Sequence, residues 1–75
     1  MQRKNPELIR KIAEVLKALR RAKGVTQETV YRETGIHIAR IENGSVHPAV
    51  TTIFELCQYF EIATSKFFLL VERIQ

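Results

Sequence analysis

Three hydrogen-bonding side chains, spaced three residues apart, are the first candidates for chemistry in this sequence. Thr34, His37 and Arg40 recur at a spacing that places side chains on one side of a helix. A guanidinium can pair bidentately with guanine and discriminate between bases by about 1–3 kcal/mol, and a neutral imidazole can donate to or accept from a base edge. On one helix face these residue types are chemically suited to base edges. The alternatives are a phosphate contact or no contact for Arg40, and a simply exposed His37.

Other residue types that carry chemistry are too isolated to form a site. His37 and His47 have no cysteine nearby and lack the ligand set of a zinc site. Cys57 lies in an apolar stretch and is expected to be an inert core thiol. Glu28 and Glu33 are a possible acid–base pair, but nothing in the sequence supplies a pocket around them. We therefore expect no enzyme, no metal and no cofactor in a chain this short.

Charge is unevenly distributed along the 75 residues. The formal net charge is +4 and the pI is about 9.6. Residues 1–40 hold ten basic and four acidic side chains, a balance of +6, whereas residues 41–75 have a balance of −2. Such a split favours a polyanion as the partner. The alternative is that the basic side chains only solvate helix faces.

The sequence carries no signal for a compartment outside the cell. Cys57 is the only cysteine, so there is no disulfide framework. The N-terminal residues lack the apolar core of a signal peptide, and the longest apolar run, residues 67–71, is too short to span a bilayer. We therefore expect a cytoplasmic protein that does not enter a membrane.

Apolar periodicity and capping residues predict five helices. Asn5 can cap the first helix and Pro6 suits its first position, whereas Gly24 suits a left-handed cap after its basic last turn. Apolar residues recur at steps of three and four in the later segments. We predict an all-α, five-helix bundle that forms a single domain over residues 1–75. The helices are expected at about 6–23, 27–33, 35–43, 49–60 and 65–74.

The second and third predicted helices carry the functional prediction. Both are short, and a turn that contains Gly35 joins them within the basic half of the chain. This arrangement is typical of a helix-turn-helix. A short helix fits the major groove, where base edges show distinct donor and acceptor patterns, and the amino end of the preceding helix offers N–H groups to a phosphate. The expected partner is double-stranded DNA.

Residues 16–68 resemble the lambda-repressor-like, Cro/XRE-type family of DNA-binding domains. The resemblance depends on the order and spacing of short pieces: residues 19–20, 23–28 and 40–44, then Pro48, residues 52–53, Leu56, Phe60 and residues 67–68. It implies a sequence-specific transcription regulator, expected to act as a repressor in a bacterial or phage-type cytoplasm. The alternative is an antitoxin or a protein–protein adaptor with the same fold, because a fold alone does not fix a function.

The resemblance also assigns residues. In the family, the glutamine that opens the second helix contacts DNA, and Gln27 holds that place. The family's partly buried ion pair, between an arginine late in the first helix and a glutamate after the recognition helix, matches Arg20 and Glu42. We interpret this pair as structural, with a merely solvated Arg20 as the alternative. Glu61 stands where the family usually has glycine, so the turn there is expected to differ.

One departure from the family pattern concerns the recognition helix. Between Gln27 and Ile41 the sequence is about three residues shorter than usual, which is nearly one helical turn. Alignment backwards from Ile41 gives a recognition helix around residues 34–42, with Thr34, His37 and Arg40 at base-facing or groove-edge positions. Thr34 is then also a possible cap of this helix. Alignment forwards from Gly35 would move Thr34 out of the groove.

Further DNA contacts are expected beside the recognition helix. Asn43 and Ser45 are predicted to contact phosphate where the helix ends, although their presence in a turn already explains them. Arg32 is predicted to reach the DNA backbone or simply to solvate the second helix. These residues complete the predicted interface.

The apolar segment at residues 67–71 predicts a homodimer. Its five consecutive apolar residues would make a helix that is hydrophobic on every face and needs burial on every face. We expect part of the C-terminal helix to form a two-fold contact, which would place two recognition helices about 34 Å apart on a palindromic site. The alternative is that all five residues close the core of the monomer.

Overall fold

A computed structural model describes residues 5–75, so residues 1–4 of the predicted domain lie outside the described part. The described residues form five α-helices without a strand, which confirms the all-α prediction. The helices are α1 (Pro6–Lys23), α2 (Gln27–Thr34), α3 (Ile38–Glu42), α4 (Val50–Tyr59) and α5 (Thr64–Arg73). Over residues 5–75, no helix is both long and apolar enough to cross a membrane.

The longest helix, α1, is capped at both ends. The Asn5 Oδ1 accepts a hydrogen bond of 3.0 Å from the Leu8 N–H, and Pro6 occupies the first turn. Gly24 ends the helix with a φ of 77°, a left-handed conformation that is accessible to glycine without a Cβ penalty. Helix α1 thus has a fixed length and provides one rigid surface for the shorter helices.

Apolar side chains from all five helices form one core. The members are Ile12, Val15, Leu16, Val30, Ile38, Ile41, Ile53, Leu56, Cys57, Phe67 and Val71. Helix α1 packs against α3 and α5, α2 packs against α3 and α4, and α4 packs against α5. Because each fully buried side chain of this kind contributes roughly 1.5–3 kcal/mol of transfer free energy, the core holds even the very short α3 in place.

Helix α3 begins later than the sequence predicted. The prediction placed residues 35–43 in the helix, but residues 35–37 form a turn and only Ile38–Glu42 is helical. Gly35, with a φ of 77°, ends α2, and the Thr34 hydroxyl donates to the Val30 carbonyl at 2.7 Å. Thr34 therefore belongs to α2, and its predicted place on the recognition helix is wrong.

The connection from α4 to α5 contains a strained residue. Glu61 has a φ of 57° and is the one non-glycine residue with a positive φ among residues 5–75. The neighbouring Ile62 N–H closes the turn by donating to the Cys57 carbonyl at 2.9 Å. Glu61 thus adopts a left-handed conformation that suits glycine, at a cost of about 1–2 kcal/mol.

Helix α5 places most of its apolar side chains inside the monomer. Phe67 and Val71 are buried, Phe68 and Leu70 are half-buried, and Leu69 is 39% exposed. The monomer core therefore uses much of the segment that predicted a dimer contact. Leu69 remains the apolar side chain of that segment most available to a partner.

Candidate nucleic-acid interface

The Glu42 carboxylate lies at the centre of the hydrogen bonds that hold the two short helices. It accepts from the Arg20 Nε at 2.7 Å on one oxygen, and from the Arg20 Nη2 at 3.1 Å on the other. The Gln27 Nε2 donates to the second oxygen at 2.9 Å. The Glu42 side chain is 2% exposed and that of Arg20 is 13% exposed. The hydrogen bond to Glu42 raises the pKa of the Arg20 guanidinium, so this group stays charged.

These bonds join three helices. Arg20 is near the end of α1, Gln27 is the first residue of α2, and Glu42 is the last residue of α3. The Arg20 Nη1 also donates to the Val25 carbonyl at 3.0 Å, which fixes the link between α1 and α2. The carboxyl end of α3 is thereby held against α1, so the exposed face of α3 has a defined orientation.

The exposed face of α3 carries Arg40. Ile38 and Ile41 are buried, whereas Ala39 and Arg40 are exposed. Arg40 makes no salt bridge with any residue between 5 and 75. An arginine that is free of an acidic partner, on a helix anchored from behind, can use all of its donors on a ligand.

His37 precedes α3 and stacks on a tyrosine that the sequence analysis did not select. The rings of His37 and Tyr31 have centroids 4.2 Å apart and are inclined by 25°. Tyr31 lies on α2 and is 46% exposed. A tyrosine on a helix whose one other apolar residue is Val30 was the available signal for it. Its partner could not be identified from sequence because the pair forms only after the turn at Gly35 has folded.

Thr34 differs from the other predicted contact residues. Its hydroxyl donates to the Val30 carbonyl and accepts from the Ile36 N–H at 3.0 Å. The side chain is half-buried and lies at the turn between α2 and α3. The structure therefore uses this hydroxyl to close the turn and does not bring it onto the face of Arg40.

Asn43 and Ser45 lie together just beyond α3. The Asn43 Oδ1 accepts from the Ser45 N–H at 2.9 Å and also from the Ser45 hydroxyl. Both residues are exposed, and Gly44 between them has a φ of 78°. They line one side of an open groove of about 560 Å³, whose opposite side is α1, including Lys17. The groove lining includes basic and acidic side chains as well as polar turn residues.

Helix α2 is anchored to α4 as well as to α3. The Tyr59 hydroxyl donates to the Glu33 carboxylate, and this bond raises the pKa of Tyr59. The Lys23 Nζ lies 5.0 Å from the centroid of the Tyr59 ring, a distance at which cation and ring attract. Arg32 is exposed on α2, two residues from the buried Val30, so α2 presents it to solvent.

Two short helices joined by a glycine turn, with a free arginine on the outer face of the second helix, define a class of protein. They are the parts of a helix-turn-helix domain that binds nucleic acid. The ten basic side chains in the first 40 residues supply the positive charge that such binding requires.

Comparison with known proteins agrees with this geometry. The family model described as helix-turn-helix matches residues 16–67, a stretch that contains α2, α3 and α4. The match covers well over half of the chain, so the chain belongs to the helix-turn-helix family, of the Cro/C1 type. Its class is that of a DNA-binding regulator. A search of curated proteins finds no match.

Proposed function

We propose that this protein binds double-stranded DNA sequence-specifically and represses transcription by occupying its target site. Helix α3 enters the major groove, and Arg40 reads a guanine there. The proposal rests on the position of Arg40. This residue lies on a helix whose other face is buried, and it is exposed and without a salt bridge among residues 5–75. The protein works in the cytoplasm and catalyses no reaction.

Outside α3 and His37, the interface contacts the DNA backbone. At the start of α2, the Thr26 hydroxyl accepts from the Thr29 N–H at 3.1 Å. The N–H groups of Gln27 and Glu28, for which residues 5–75 supply no acceptor, point out of the helix end and suit a phosphate.

Side chains around the recognition helix add to these contacts. The Gln27 amide is held by Glu42, so it approaches the DNA with a fixed orientation. In this proposal Arg32, Asn43 and Ser45 contact phosphates on either side of α3. Their contacts set the register of the protein on the duplex, whereas α3 and His37, the residue before it, read the bases.

Substitution of Arg40 tests the proposal. A preferred duplex is first selected from random fragments with the wild-type protein, and affinities are then measured for that duplex and for a random one. Arg40→Ala should weaken specific binding roughly 5- to 150-fold, the loss of one bidentate base contact, with a much smaller effect on the random duplex. Arg32→Ala is the matched control, because loss of a phosphate contact weakens both duplexes alike and lowers the salt slope by about one.

Two results would contradict the proposed function. One is equal binding of the selected and random duplexes by the wild-type protein. The other is an Arg40→Ala variant that loses the same factor on both duplexes, which would make Arg40 a phosphate contact. The comparisons do not favour the antitoxin or adaptor alternative.

A homodimer through α5 is part of the same proposal. Leu69 provides the exposed apolar contact, at 39% exposure, and two-fold symmetry brings a second α3 to the next turn of the duplex. Sedimentation at micromolar concentration should give a dimer that Leu69→Glu converts to a monomer. Val50→Glu, at a 77% exposed position on α4, is the control. If Val50→Glu dissociates the dimer and Leu69→Glu does not, the interface lies on α4 and the proposed contact through α5 is wrong.

A further inference from the structure

The amino end of α3 has no side-chain cap. The residue that precedes the helix, His37, makes no side-chain capping hydrogen bond, whereas Thr26 caps α2 in this way; α4 and α5 also begin without such a bond. The imidazole is also exposed, so core packing does not fix it. The imidazole stacks on the face of the Tyr31 ring, with 4.2 Å between the two ring centroids.

Tyr31 and Gln27 are related by one turn of α2. Residues four apart lie on the same side of a helix, and this side of α2 is turned towards α3. Gln27 contacts Glu42 at the carboxyl end of α3, and Tyr31 contacts His37 at the amino end. Helix α2 therefore holds both ends of the five-residue α3, by a hydrogen bond at one end and by an aromatic stack at the other.

The exposure of Tyr31 is not explained by the core. Its side chain is 46% exposed and belongs neither to the buried cluster nor to the half-buried residues packed on it. It also makes no side-chain hydrogen bond with any residue from 5 to 75. Its stack with His37 is the interaction that distinguishes it, and that stack lies three residues from Arg40.

We propose that Tyr31 is a positioning residue for base recognition. The Tyr31 ring holds the His37 imidazole flat against α2. The nitrogen-bearing edge of the imidazole then faces the major groove of bound DNA, beside Arg40. Ordering this side chain in the free protein removes a cost that would otherwise arise on binding. The inference rests on the proposed function, and it adds Tyr31 and His37 as one unit to the reading surface.

The stack can be measured without DNA. The chain has two histidines, His37 and His47, so the imidazole proton signals of His47 provide an internal reference in NMR spectra. His37 signals should be shifted upfield by the tyrosine ring in the wild-type protein. The shift should persist in Tyr31→Phe, which keeps the ring, and disappear in Tyr31→Leu. Unshifted His37 signals in the wild-type protein would overturn the inference.

The consequence for recognition is measured on the selected duplex. Tyr31→Leu should weaken specific binding by about two- to tenfold, the range expected for one aromatic pair, and leave random-duplex binding unchanged. Tyr31→Phe should restore full affinity. Because Tyr31 acts through His37, the double variant with His37→Ala should lose no more than His37→Ala alone.

The arms of this experiment separate the inference from the function on which it rests. If the wild-type protein has no preferred duplex, the proposed function fails. If the preference exists and Arg40→Ala reduces it, but the losses of Tyr31→Leu and His37→Ala add up, the positioning role of Tyr31 is wrong. An intact His37 shift in Tyr31→Leu contradicts the same role.

Discussion

Replacement of Arg20 by methionine tests how α3 is held in the fold. The substitution keeps an unbranched side chain that matches arginine as far as the Nε position, and it removes the guanidinium that neutralises Glu42. The Glu42 side chain is 2% exposed, so its charge would remain buried with Gln27 as its one described donor. Removal of one partner of a buried ion pair costs about 3–5 kcal/mol. Since Arg20 keeps 13% exposure, we expect the lower end, about 3 kcal/mol.

The size of this loss makes it easy to measure. A domain of 75 residues has an unfolding free energy of roughly 4–11 kcal/mol, so about 3 kcal/mol is a large part of it. The corresponding fall in Tm is roughly 12–24 °C. Urea denaturation followed by far-ultraviolet circular dichroism should show the midpoint fall at constant m value.

A double variant separates the buried charge from lost packing. Replacement of both partners by apolar residues is often close to neutral, so Arg20→Met with Glu42→Met should be more stable than Arg20→Met alone. A single variant within 1 kcal/mol of the wild-type protein would refute the reasoning. A double variant no more stable than the single one would show that the cost comes from packing at Arg20.

Two further predictions concern α4 and the turn after it. Glu61→Gly should raise the unfolding free energy by roughly 0.5–1 kcal/mol, because relief of a left-handed residue, about 1–2 kcal/mol, exceeds the entropic cost of glycine. Glu61→Ala, which keeps a Cβ, should give no such gain in urea denaturation. Burial raises the pKa of the Cys57 thiol, so labelling by a disulfide reagent at pH 8 should require unfolding and speed up along the urea transition. Rapid labelling of the folded protein would show that the Cys57 thiol is accessible without unfolding, and the prediction would be wrong.

The sequence was most informative where local and tertiary preferences agree. The predicted bounds of the first helix coincide with those of α1, because Asn5 and Gly24 mark its ends and an apolar stripe runs between them. The burial of Ile38 and Ile41 also follows from their spacing. At such positions capping, periodicity and burial each predict the same structure.

The start of α3 could not be predicted in this way. Thr34 can cap a following helix or bond back to the carbonyl four residues earlier, and both options are local hydrogen bonds. The structure takes the second option because Gly35 adopts a left-handed conformation, which ends α2. The pairing of Tyr31 with His37 was likewise hidden, since it depends on the path of the chain through this turn.

In the proposed DNA-bound dimer, the short α3 would limit how much sequence the protein can discriminate. Five residues rise about 7.5 Å, which is little more than two base-pair steps of about 3.4 Å. A word of about three base pairs recurs by chance every 64 or so positions, and two such words every 4,000 or so, against at least ~10⁶ competing sites in a genome. Selection of a single operator therefore requires information from outside α3, such as the stiffness and groove width of the DNA between two half-sites.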